Sequence, residues 1–283
     1  MAENAGSARP PAPRAKGGFG PRLASALVMI PLALAAVWLG GLWMALLVAL
    51  AAGLMVWEWG RLVGRLASQA DCILFIAIGS ASVLASHFAG SEVAMLVALA
   101  GILLQWALGR GRDRTPVWTA LGIAWIVAPS IGFLWLRDDR NLGLPLTVWL
   151  LTLVWATDIC AYVVGKSVGG PKLVPRISPN KTWSGLIGGI GGALLTGLAA
   201  GMMLPGIDLW MIIALSGGLA VVEQIGDIAE SLAKRRFGVK DSSSLIPGHG
   251  GLLDRLDGML AVVVVTVLIH IVTGGNVLKW HQA

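Results

Sequence analysis

Charge is what this sequence has least of. Only 13% of its 283 residues are Asp, Glu, Lys or Arg, against 56% hydrophobic residues and a mean hydropathy of +0.79, a balance that excludes an ordinary water-soluble domain. Cysteine is almost missing. Cys72 and Cys160 fall in or beside different apolar stretches and read as small buried hydrophobes, not as a chemical site. Acidic residues are outnumbered, 15 to 21 Lys and Arg, for a net charge of +6. The basic residues sit in juxtamembrane loops, where anionic headgroups explain them, so nucleic-acid binding is excluded as a reading. No cleavable signal peptide is evident: the apolar stretch from Leu23 is too long for a signal core and runs on into a second span.

What is present is a series of apolar runs of about 20 residues broken by Gly, Pro or charge, the length a helix needs to cross hydrocarbon. The pattern predicts an all-α, polytopic membrane protein with spans near 22–39, 42–57, 72–88, 92–109, 117–136, 144–165, 183–204, 209–228 and 258–273. The second and last are short, so eight spans is the alternative to nine. With nine spans and a cytoplasmic N-terminus, every basic residue except Arg137, Arg140 and Lys279 falls on the cytoplasmic side. Residues 1–20, rich in Ala, Pro, Gly and cations, are expected to be a mobile cytoplasmic tail. Residues 21–143 read as a transmembrane scaffold of about five helices, and 144–283 as the catalytic region with cytoplasmic loops 166–182 and 229–257.

That division rests on where polar residues fall. Asp158 lies inside an apolar helix, where translocon scales put its cost at about 2.5 to 3.5 kcal/mol, so it serves a function or partners a loop cation. The loop behind it carries Lys166, Lys172, Arg176 and Lys181, with Ser178, Pro179, Asn180 and Thr182 just before the next helix. A helix N-terminus flanked by a cation and hydroxyls suits a phosphate; a capped helix start in an ordinary basic loop is the alternative. Gly165-Lys166-Ser167 is not a nucleotide-binding P-loop, because the required first glycine is Cys160 and no strand precedes it. Asn180-Lys181-Thr182 fits a glycosylation sequon but falls in a loop placed in the cytoplasm.

The densest signal runs from Val221 to Leu260. Glu223, Asp227, Glu230, Ser231 and Lys234 recur at spacings of three and four and share one helix face. Glu223 and Asp227 sit at the apolar end, where charge needs a cation or a metal. Asp254 and Asp257 form an i, i+3 pair opening the last helix; alone they would be a favourable N-terminal pair, but with Asp227 they make a hard oxygen cluster suited to magnesium. Gly248-His249-Gly250-Gly251 reads as a tight loop whose N–H groups approach a phosphate.

These residues resemble the phosphatidate cytidylyltransferase family. Its hallmark is matched in order by Ser231, Lys234-Arg235, Lys240-Asp241, Pro247-Gly248-His249-Gly250-Gly251 and Asp254-Arg255-Leu256-Asp257. Asp158, Ala161 and Tyr162, then Ser178 to Thr182, fit an earlier part of the same pattern. Ser184 departs from it, standing where members often have Glu. Before residue 150 only Arg22 and Glu58-Trp59 resemble the family, and Glu58 is expected to pair with Arg61 or Arg65 along its own helix.

The resemblance implies attack of the phosphatidic acid phosphate on the α-phosphorus of CTP at an inner membrane, with the active site facing the cytoplasm. Asp227 and Asp254 would bind magnesium or another divalent cation directly, with Asp257 at the ion or one step removed, and there is room for a monovalent cation beside it. Lys234, Arg235, Lys240 and His249 would meet the triphosphate or leaving pyrophosphate, and Lys181 with Ser178 the lipid phosphate or CTP. Asn180, Thr182, Ser231, Gly250, Gly251 and Arg255 complete the substrate-binding set, and Asp158 and Glu223 are added as intramembrane acids. A homodimer is left open. The rivals are a CTP-dependent polyprenol kinase or a CDP-archaeol synthase, and, from another class, an ion-coupled transporter, for which no inverted repeat is evident. The Asp-Gly-x-x-Ala-Arg pattern of CDP-alcohol phosphotransferases is absent.

Overall fold

The computed structural model describes residues 19–64, 66, 68–109, 116–246 and 250–275, with the side chains of 19–26 set aside. The tail expected over 1–20 lies outside them except for Phe19 and Gly20. Among the described residues the chain forms nine helices: α1 (Phe19–Leu39), α2 (Gly41–Leu62), α3 (Gln69–Ala89), α4 (Ser91–Gly109), α5 (Pro116–Arg137), α6 (Gly143–Val168), α7 (Trp183–Met203), α8 (Leu209–Arg236) and α9 (Leu253–Val272). Eight are long and apolar enough to cross a membrane, and the described apolar part of α1 is the shorter Leu27–Leu39.

The breaks follow from local chemistry. Gly40 (φ 64) separates α1 from α2 and Gly90 (φ 89) separates α3 from α4, both in the left-handed region that favours glycine. Ser68 opens α3 with a reciprocal capping box to Asp71. Thr182 and Asp208 cap α7 and α8 by accepting from Gly185 N and Met211 N at 3.1 and 2.9 Å.

Neither α2 nor α9 is the short span expected. Each continues past its apolar run, α2 to Leu62 and α9 back to Leu253, because the charges there are satisfied by partners: Glu58 by donors from the 242–253 segment, Asp254 by Lys234. Similarly α8 reaches Arg236 instead of stopping near 228, since Lys234 is ion-paired with Glu230 and Asp254. The loop 166–182 also holds a feature the sequence reading did not contain. β1 (Lys172–Val174) and β2 (Ser178–Thr182) pair as an antiparallel hairpin with Val174 opposite Ser178, closed by Ile177 N donating to Val174 O.

Two cores hold the helices. One centres on α2, α3 and α5 and takes in Ala233, Leu253 and Leu260; the other joins α6, α7, α8 and α9 around Leu146, Trp149, Leu153, Ile212 and Val262. Backbones come close where small residues face each other, the packing that membrane helices use in place of a hydrophobic driving force. A Cβ on Gly188 of α7 would lie 2.5 Å from the Val164 Cβ of α6, and one on Gly192 would lie 2.8 Å from Ala156 O. At the end of the bundle where α8 finishes and α9 begins, Gly226 and Gly258 do the same for those two helices. A Cβ on Gly226 would sit 3.1 Å from the Asp257 carbonyl oxygen and 3.3 Å from Gly258 Cα.

Candidate active site

The Gly226–Gly258 contact builds the site. Asp227 and Asp257 each follow or precede one of those glycines, so the close approach sets the two carboxylates on facing helices within electrostatic reach of one another. Asp257 is buried and accepts from Gly258 N at 2.9 Å, whereas the Asp227 side chain keeps 30% of its surface open. Ser231, one turn on, donates to Asp227 Oδ1 at 3.3 Å.

Lys181 enters from the end of β2. Its Nζ lies 2.7 Å from Asp227 Oδ2 and donates to Gln224 Oε1 at 2.9 Å. Gln224 Nε2 in turn donates to Glu223 Oε2 at 2.7 Å. Glu223 meets Asp158 of α6 carboxyl to carboxyl, and Asp158 is within electrostatic reach of Lys181, Asp227 and Arg255. Asp158, Lys181, Glu223, Asp227, Arg255 and Asp257 therefore gather from four elements that the sequence keeps up to 99 positions apart. The hairpin is what delivers Lys181. Ser184 at the start of α7 donates to Gly169 O, joining the two ends of the 169–184 segment, and Arg235 of α8 donates to Ile177 O at 3.2 Å, tying its turn to α8.

Beside this cluster lies a second one, organised by Asp254. Lys234 Nζ and Ser242 N meet its Oδ1 at 2.8 and 3.1 Å, and Gly251 N and Ser242 N meet its Oδ2 at 2.9 and 3.1 Å. Lys234 also forms an ion pair with Glu230, one turn earlier on α8. All three side chains are largely hidden, at 11% exposure for Lys234, 6% for Asp254 and 1% for Glu230.

The expected cluster of three carboxylates is thus assembled as two plus one. Asp227 and Asp257 lie within electrostatic reach of one another, while both Asp254 oxygens are occupied by a cation and three N–H contacts. Among the described residues no group of three or more His, Cys, Asp and Glu side chains is gathered closely enough to hold a metal ion. The two-carboxylate arrangement does fit magnesium, which keeps several waters and takes one or two carboxylates together with substrate phosphate.

Other expected residues fall in different places. Thr182 accepts from Gly185 N as the α7 cap, and Lys181 turns toward α8, where it meets Gln224 and Asp227. Ser178 is half-buried on β2, Asn180 is exposed there, and Lys240 and Arg255 are exposed cations near the α8–α9 connection. Arg235 is engaged with the Ile177 and Val239 carbonyls. Gly250 takes φ 89 and bridges to Ile246, and His249 lies outside the described residues.

Sequence reasoning missed Gln224, Ser242 and Ser243, and it left Glu230 out of the site although the face containing it was read. The i, i+4 spacing of Glu230 to Lys234 was the available signal. For Gln224, 43 positions from Lys181, there was none. Glu58 was expected to pair along its own helix; instead it accepts from the 242–253 segment, while Arg61 lies over the Trp57 ring at 5.1 Å and Arg65 is outside the described residues.

A profile described as the cytidylyltransferase family matches residues 21–272. A phosphatidate cytidylyltransferase from Brucella suis is 38% identical over 253 residues, covering 87% of this chain and 91% of its own length. One from Pseudomonas aeruginosa is 34% identical over 255 residues, covering 86% and 93%. One from Staphylococcus aureus is 35% identical over 202 residues, covering 67% and 75%. A profile spanning all nine helices, with relatives this similar over most of their length, means that the chain belongs to the cytidylyltransferase family.

Proposed function

We propose that this chain transfers the cytidylyl group of CTP to phosphatidic acid, leaving CDP-diacylglycerol in the membrane and releasing pyrophosphate. The observation that carries the reading is the family match across the segment in which Lys181, Asp227 and Asp257 converge at one end of an apolar bundle. The same relatives give no support to a polyprenol kinase, a CDP-archaeol synthase or a transporter.

In the reaction an oxygen of the phosphatidate phosphate bonds to the α-phosphorus of CTP. The bond from that phosphorus to the oxygen bridging the β-phosphate breaks, and pyrophosphate leaves with the electron pair. The attacking oxygen is already ionised, so the site needs alignment and charge neutralisation more than a base. Asp227 and Asp257 would hold a magnesium ion, which would supply charge neutralisation at the phosphates, and the family resemblance leaves room for a monovalent cation beside it. Lys181, held by Asp227 and Gln224, is assigned to a substrate phosphate. Ser178 and Asn180 lie on the same strand, and the exposed Lys240 and Arg255, with His249, are assigned to the triphosphate and the leaving pyrophosphate. Lys234 acts one step back, holding Asp254 and through it the Gly250–Gly251 turn.

The reading places all nine helices across an inner membrane with the N-terminus and the active site on the cytoplasmic side, where the basic loops lie and CTP is present. It accommodates a single chain or a homodimer. The test is transfer of label. Purified protein given phosphatidic acid and CTP labelled at the α-phosphate is expected to yield labelled lipid, and CTP labelled at the γ-phosphate none. Lipid label from the γ-phosphate would make the chain a kinase and end the proposal.

A further inference from the structure

Glu58 stands on α2, in the half of the chain that otherwise supplies scaffold, and none of its surface is exposed. A buried carboxylate is costly unless its oxygens are filled. Here each oxygen takes two donors. Oε1 accepts from Ser243 Oγ and from Leu252 N at 2.9 Å, and Oε2 accepts from Ser242 Oγ at 3.3 Å and from Leu253 N at 2.7 Å. All four donors belong to the segment that joins α8 to α9, 184 to 195 positions away in sequence.

The two amides belong to the N-cap Leu252 and to Leu253, the first residue of α9, and Leu252 has no side chain that could cap the helix itself. Glu58 is the missing cap, supplied from another helix with the negative charge that a helix N-terminus favours. It also binds the far end of the segment, since Ser242 donates its hydroxyl to Glu58 and its backbone N–H to Asp254. Gly251 is threaded between these groups. A Cβ there would lie 2.8 Å from Glu58 Oε1 and overlap Ser242 Oγ. The helix around Glu58 is anchored in turn, with Trp59 Nε1 donating to Trp118 O at 2.8 Å.

We propose that Glu58 is a positioning residue for the transfer reaction, acting as a clamp that holds Ser242, Ser243, Leu252 and Leu253, and with them the first turn of α9, in register with α8. It touches no substrate. It acts through Asp254, Lys234 and the turn that carries Asp257, so its effect on catalysis rests on the assignment of that end of the bundle to the reaction. The clamp requires an acid specifically: four donors converge on two oxygens, and the amide nitrogen of a glutamine would oppose two of them.

The experiment is Glu58→Gln in the purified full-length protein, read by hydrogen exchange and by kinetics. Deuterium uptake is expected to rise in peptides covering 242–256 and to stay unchanged in those covering α6 and α7. Turnover is expected to fall and the divalent-ion concentration for half-maximal rate to rise, each by about tenfold or more, the size typical of lost supporting contacts around a metal site. The Michaelis constant for phosphatidic acid should move less than twofold. Adding Ser243→Ala to Glu58→Gln should cost less than the product of the two single effects, because both act on one contact. Should Glu58→Gln fail to fold, Ser242→Ala with Ser243→Ala removes the hydroxyl half of the clamp and is expected to give the same signature more weakly. Unchanged uptake over 242–256, or turnover within twofold of wild type in whichever of these variants folds, overturns the clamp. The exchange arm uses no substrate, so failure of the cytidylyl-transfer reading would show separately, as a wild-type protein that makes no CDP-diacylglycerol.

Discussion

Changing Asp257 to Asn lowers turnover by about a hundredfold or more, about 2.7 kcal/mol of transition-state stabilisation, while the protein stays folded. The side chain keeps its size, and Asn retains an oxygen for the single local contact from Gly258 N. What is lost is the negative charge facing Asp227 across the Gly226–Gly258 contact. Asp227→Asn is expected to do the same and also to break the Lys181 ion pair, leaving that ammonium its bond to Gln224. The loss should appear in kcat at saturating CTP and phosphatidic acid, because the charge matters most where polyphosphate charge is redistributed. Two variants with normal kcat would separate these residues from the chemistry.

The second large effect concerns stability. Lys234→Met removes the cation between Glu230 and Asp254, and breaking one partner of a buried ion pair costs about 3 to 5 kcal/mol because the remaining charge is uncompensated. Glu230 should suffer more than Asp254, which keeps its bonds from Ser242 N and Gly251 N. The expected outcome is a fall of several degrees or more in apparent melting temperature in detergent. Combining Lys234→Met with Glu230→Gln should recover much of that loss without restoring activity, since neutralising Glu230 removes the stranded charge but not the need to orient Asp254. A single variant that melts with wild type would show that the pair is solvated and contributes little.

Much of this architecture was readable in the residues. Apolar length and glycine breaks located every helix, and the three-and-four spacing of Glu223, Asp227, Glu230, Ser231 and Lys234 identified the working face of α8. Periodicity says which side chains share a face, however, and not what stands opposite. That is why Asp254 was grouped with Asp227, although its carboxylate is turned onto Lys234 and the backbone of its own loop. It is also why Glu58 was matched with a neighbour one turn away. Its partners depend on how α2 packs against the α8–α9 connection, and no local pattern records that. The helix ends were misjudged for a related reason: at Leu62, Arg236 and Leu253 the helices continue through charged residues because distant partners satisfy them. The β1–β2 hairpin was hidden because only its ties to Gly169 and Arg235 turn a basic loop into a device that delivers Lys181.

The central claim, that Asp227 and Asp257 together hold the divalent ion that neutralises the nucleotide, is tested most directly by manganese binding. Titrating Mn2+ into purified wild type and Asp257→Asn with CTP present, and following free ion by electron paramagnetic resonance, should show affinity falling by about tenfold or more in the variant. Equal affinity in the two proteins would contradict the account.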